Sequence, residues 1–186
     1  MPSLAGPHSG MIATYGTRRK DSLFTLNNSV KGVGFLPKAE KLPRVIAEME
    51  RTMENPMPDK LQFLEDLYKD RGNFDTRLQV SLELYATPDF ETHTFLNLME
   101  NPVATIVYLD YPSYEIRCIG RLLHPKDPNL SQWERNVVKY VNLVHSYFHG
   151  KFPRLFVTSV FFVIEAFDNT PGKKEGCGRK SAPKVG

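Results

Sequence analysis

Leu78-Gln79-Val80-Ser81-Leu82-Glu83-Leu84-Tyr85-Ala86 decides the fold, because here the apolar spacing changes from three-and-four to strict alternation. Leu78, Val80, Leu82, Leu84 and Ala86 fall on one side of an extended chain, and Gln79, Ser81, Glu83 and Tyr85 fall on the other. The pattern predicts a half-buried strand. Upstream, Leu42, Val45, Ile46, Met49 and Met53 recur at helical spacing until Pro56 and Pro58. A second helix carries Leu61, Leu64, Leu67 and Tyr68 and is expected to stop near Gly72, in the left-handed conformation that ends many helices. The two make a helical hairpin. Before them Gly32, Gly34 and Pro37 break the chain, while Met11–Tyr15 and Leu23–Leu26 flank the polar Thr17-Arg18-Arg19-Lys20-Asp21, a hairpin signal.

Downstream, Thr87 can cap a short helix with Pro88 at its first position and a buried stripe of Phe90, Phe95, Leu98 and Met99, halted by Asn101-Pro102. Val103–Leu109 and Tyr114–Leu123 then read as an antiparallel pair joined across Asp110-Tyr111-Pro112-Ser113. Ser131-Gln132-Trp133-Glu134 is a capping box, in which a hydroxyl and a carboxylate satisfy each other's free backbone amides. It opens a helix with the stripe Trp133, Val137, Val141, Val144 and Phe148, ended by Gly150 and Pro153. A last strand, Leu155–Phe167, runs into the turn signal Asp168-Asn169-Thr170-Pro171-Gly172. The fold class expected is α+β, an antiparallel sheet or barrel with flanking helices.

The 186 residues suit one domain, and 41% hydrophobic with 24% charged residues is an ordinary globular balance. Residues 1–10 read as a flexible leader, 11–172 as a single domain with a helical insertion at about 38–71, and 173–186 as a basic flexible tail. The net charge of +3 is uneven: Lys173, Lys174, Arg179, Lys180 and Lys184 stand against Glu175, leaving the tail at +4 and the remainder at −1. A near-neutral body predicts no nucleic-acid partner. No run approaches the roughly 20 apolar residues of a membrane span, and the first residues lack a secretory pattern, so a cytoplasmic protein without a membrane partner is expected. Cys118 and Cys177 have no CxxC partner and are expected to be reduced thiols.

One ordered set of segments resembles a known family. Glu91-Thr92-His93-Thr94-Phe95-Leu96-Asn97-Leu98-Met99-Glu100-Asn101-Pro102 carries a Leu-x-Glu-Asn-Pro helix ending. It is followed by the hairpin closing on Ile116-Arg117-Cys118-Ile119-Gly120-Arg121 and by the final Phe167–Gly172 turn. Together, over residues of about 78–172, they resemble the FMN-binding split-barrel family of pyridoxamine 5'-phosphate oxidase. The resemblance implies a six-stranded split barrel and a homodimer holding FMN between subunits, in an oxidoreductase acting on a small molecule. It places Thr92, His93 and Thr94 at the flavin phosphate, where family members carry Ser-Arg-Lys, and offers Arg117 or Arg121 to steady the flavin or a substrate anion. Family members also place two strands just before the one at Leu78, where this chain has helices. Either Met11–Leu26 supplies those strands across an insertion, or the barrel is altered.

Other arrangements stand beside that one. A flavin-free split barrel working as a non-enzymatic binding or assembly partner is the second reading, motivated by the missing Lys and the inserted helices. A haem-handling relative would use His93, His145 or His149 as iron ligand. His145 and His149 stand four apart on a helix, a chelating spacing, but without a third ligand in sequence they read as a helix edge. Arg117 and Arg121 alternate with Glu115 and read equally as cross-strand partners. Trp133 reads as core, and Gly32-Val33-Gly34 is too short for a dinucleotide loop.

Overall fold

The computed structural model describes residues 9–84, 91–109 and 111–172, with the backbone of 179–180. The described elements are β1 (Ser9–Tyr15), β2 (Leu26–Gly32), β3 (Gly34–Pro37), α1 (Leu42–Arg51), α2 (Met57–Lys69), β4 (Phe74–Leu82) and α3 (His93–Glu100). They continue with β5 (Val103–Tyr108), β6 (Tyr114–Leu123), α4 (Gln132–His149), β7 (Thr158–Asp168) and β8 (Arg179–Lys180). All strand pairs are antiparallel, in the order β2-β1-β5-β6-β7-β4-β3, with β8 on the free end of β7.

That order closes on itself. Only Val33 separates β2 from β3, so one stretch of chain pairs with β1 on one side and with β4 on the other. In a flat sheet β2 and β4 would stand about 24 Å apart, five strand spacings. Instead Lys31 Nζ lies 2.5 Å from Glu83 Oε2, and the Tyr108 hydroxyl donates across the interior to Gln79 Oε1 at 2.9 Å. The sheet is therefore curled into a split barrel, and the hairpin β1–β2 supplies the early strands across the helical insertion.

Two cores result. Inside the barrel, Ile12, Val33, Ala104, Ile106, Cys118 and Phe161 pack under Leu98 of α3. Burial pushes the Cys118 thiol up to about 12, which keeps it protonated; Cys177 lies outside the described residues. Outside, Leu78, Val80, Leu82 and Val160 meet Leu42, Val45, Ile46 and Met49 of α1 and Val137, Val138 and Val141 of α4. Both halves of the capping box form: Glu134 N–H donates to Ser131 Oγ at 3.2 Å, and Ser131 N–H to Glu134 Oε2 at 2.7 Å. Gly150, at φ 88°, ends α4. Trp133 packs against this outer core.

Several sequence expectations are corrected. The hairpin strands are longer and further apart than Met11–Tyr15 and Leu23–Leu26, and the Gly32–Pro37 break holds β3. β4 begins at Phe74 and from Leu78 on is buried on both faces, because Gln79, Ser81 and Glu83 point into the barrel. Gly72 lies in a 3-10 turn whose Asp70 side chain accepts its N–H, and the positive-φ residues among those described are Gly150 and Gly172. The described short helix starts at His93 with Thr92 as cap, while the proposed cap Thr87, Pro88 and Phe90 lie outside the described residues. β7 begins at Thr158 rather than Leu155.

Candidate anion site at the start of α3

Close backbone approach fixes α3 over one mouth of the barrel. A Cβ on Gly120 would meet Leu98 Cδ2 at 2.9 Å, and one on Gly16 would meet Asn97 Oδ1 at 2.8 Å and the Asn97 Cα at 3.2 Å. At Gly16 a side chain would press on the Asn97 backbone, while at Gly120 it would push the Leu98 side chain aside. After Gly16, the Thr17 N–H and hydroxyl and the Arg18 N–H all donate to the Glu100 carboxylate, at 2.8, 2.7 and 3.1 Å. These bonds hold the Glu100 carboxyl below its usual range and bind the loop after β1 to the end of α3.

At the other end, the two threonines of the sequence reading have structural partners. Thr92 Oγ accepts from the Phe95 N–H at 3.2 Å as the helix cap and is 3.5 Å from Glu83 Oε2. Thr94 is 1% exposed, with Ser29 Oγ at 2.8 Å and Asn27 Nδ2 at 3.2 Å, so it fastens α3 onto β2. Its hydroxyl faces protein. His93 differs: its Nε2 is buried and has no hydrogen-bond partner.

Beside His93 lies a pair that local sequence reading took for a turn. Arg19 Nε and Nη2 grip the two carboxylate oxygens of Asp21 at 2.5 and 2.7 Å, while Nη1 donates to the Glu91 carbonyl at 3.3 Å. Asp21 Oδ1 is 4.0 Å from His93 Nε2. The hydrogen bonds from Arg19 hold the Asp21 carboxyl below the usual carboxylate range. A carboxylate is therefore already held between a guanidinium fork and an imidazole at the start of a helix, whose first amides favour negative charge. Nearby, buried Glu83 is met by Lys31 and by Ser159 Oγ at 3.1 Å.

The remaining predicted residues lie elsewhere. Arg117 bonds Glu115 at 2.9 Å and Glu165 at 3.5 Å, with its guanidinium 4.6 Å above the Phe167 ring. Arg121 pairs with Glu134 at 2.5 Å, at the start of α4. Both alternate with Gly120, whose opposite face carries α3, so a single chain does not bring them to Thr92, His93 and Thr94. The His145 and His149 rings stand 5.9 Å apart on the wall of a separate cavity. Among the described residues no three His, Cys, Asp or Glu side chains cluster as metal ligands, and no helix is long and apolar enough to cross a membrane.

No protein-family model matches the chain. No curated protein matches it at a significant level either. Among solved structures it is similar to one described as "Putative Pyridoxamine 5'-phosphate oxidase" from Listeria innocua, at 10% identity and a TM-score of 0.43, over 87% of each chain. At that distance the likeness carries nothing about activity.

Arg19, Lys31 and Glu83 were not legible as site residues. Arg19 sits in a charged loop resembling any solvated turn, and Lys31 and Glu83 meet only because the barrel closes.

Proposed function

We propose that this split barrel binds FMN, with the flavin phosphate at the start of α3, and serves as an oxidoreductase on a small-molecule substrate. One observation carries the reading: the Arg19 fork closed on a carboxylate, beside the partnerless Nε2 of His93. Asp21 is the replaceable member, with a side chain 61% exposed. A phosphate offers more charge and a third oxygen to the same donors. Of the residues the resemblance suggests, His93 fits a phosphate; Thr92 contributes as the cap that orients the helix, and Thr94 supports it from below. Bound there, FMN would supply a carrier of electrons, and the protein would set its position.

The test is quenching of FMN fluorescence by the purified chain. Saturable quenching is expected, with Arg19→Ala weakening it by at least about tenfold, the loss of a charge-assisted bond. Asp21→Asn should tighten it. Equal affinity of wild type and Arg19→Ala would overturn the placement.

A second reading, a flavin-free binding or assembly partner, is favoured by a different observation. Lys31, the nearest lysine in the barrel wall, is engaged by Glu83, and Thr94 is covered by Asn27 and Ser29. A folded, colourless chain that takes up no FMN would support it.

We also propose a homodimer through the outward face of β5, β6 and β7. Val103 pairs with Ile119 and Ile119 with Phe162, a row of exposed apolar side chains continued by Ile164. Such a row on a sheet face favours burial against another surface. Arg117, Glu115 and Glu165 at its edge offer both signs of charge, which suits a self-complementary two-fold contact.

A further inference from the structure

The barrel is split where β2 gives way to β3. Gly34 pairs with Val80 at the end of the β3–β4 ladder, and Val33 turns away there, so Ser81 and Leu82 have no neighbour from β3. Helices α2 and α4 lie over this gap without filling it. They leave a cavity of about 430 Å³, with no residue of α3 among those lining it.

Its walls are apolar. Val33, Leu61, Leu64, Val144 and Phe148 line it, and Tyr68 and Tyr140 present aromatic faces. One observation points to a ligand: the cavity falls in the size range of small-molecule sites, which combine apolar walls with a few polar groups. Electrostatics narrow the class. Among the lining residues Glu65 alone carries a formal charge, and it disfavours anions. Burial first, and His149 second, lower the affinity of His145 for a proton, so His145 resists becoming a cation in this wall.

We propose that this cavity binds a small uncharged molecule, an aromatic or alicyclic ring system of roughly a dozen heavy atoms. The site shares no residue with the Arg19 and His93 cluster, so the two proposals stand or fall separately.

The test uses the full chain and the neutral dye N-phenyl-naphthylamine, whose fluorescence rises in apolar surroundings. One saturable site is expected. Val144→Trp, which fills the cavity, should weaken dye binding at least about tenfold. Excess FMN should not displace the dye, and Arg19→Ala should leave its affinity unchanged. Leu64→Trp fills the space from α2 and provides the same reading if Val144→Trp does not fold. Absence of saturable binding would overturn the proposal, as would wild-type affinity in a cavity-filling variant with a native circular dichroism spectrum. Displacement by FMN would do so as well.

Discussion

Glu83 joins parts of the chain that are far apart in sequence. Its carboxylate is 1% exposed and is met by Lys31 from β2, Ser159 from β7 and Thr92 from the cap of α3. A buried carboxylate is costly unless paired and hydrogen-bonded, and removing one partner leaves an uncompensated charge. Lys31→Met should therefore lower unfolding stability by about 3–5 kcal/mol in urea titration. Glu83→Gln combined with Lys31→Met should recover part of that loss, because both charges are then gone. Neither residue was legible in sequence. Glu83 looks like the solvent side of an alternating strand, and only closure of the barrel turns that side inward. Gln79 and Ser81 were misplaced for the same reason.

At the scale of elements, legibility followed how local the determinants are. α1 and α4 pack on one side, so their apolar spacing could be read directly, and for α4 the cap as well, down to both bonds of the Ser131 and Glu134 capping box. Ser131→Ala should cost about 1 kcal/mol in thermal or chemical unfolding, the usual loss for an N-cap hydroxyl. It also frees Glu134, whose carboxyl is held below its usual range first by Ser131 and further by Arg121. A carboxylate with a lowered folded-state pKa adds stability above its unfolded pKa and loses it as pH falls through the folded value. The wild-type advantage over Ser131→Ala should accordingly shrink on acidification. α3 was only partly legible: its Leu98–Pro102 ending could be anticipated, but the cap was expected at Thr87, and Thr92 is the residue that caps it. Its placement by Gly16 and Gly120 depends on contacts across the barrel.

For the whole molecule, an antiparallel strand after two helices was accessible from the change of period at Leu78, and the split barrel with a helical insertion from the family resemblance. Closure through Val33 was not, since β3 is separated from its β4 partner by two helices. The exposed row Val103, Ile119, Phe162 and Ile164 makes its own prediction: light scattering after size exclusion should give twice the single-chain mass. Ile119→Asp should return the chain to a monomer without unfolding it. A monomeric wild type at tens of micromolar would contradict the dimer.

The start of α3, with Arg19 and His93, is proposed to hold a phosphate. Calorimetric titration with FMN against riboflavin, which differ by that phosphate alone, decides this. FMN should bind at least about tenfold more tightly, with an affinity that falls as salt is raised. Equal affinity for the two flavins, or no heat from either, would contradict it.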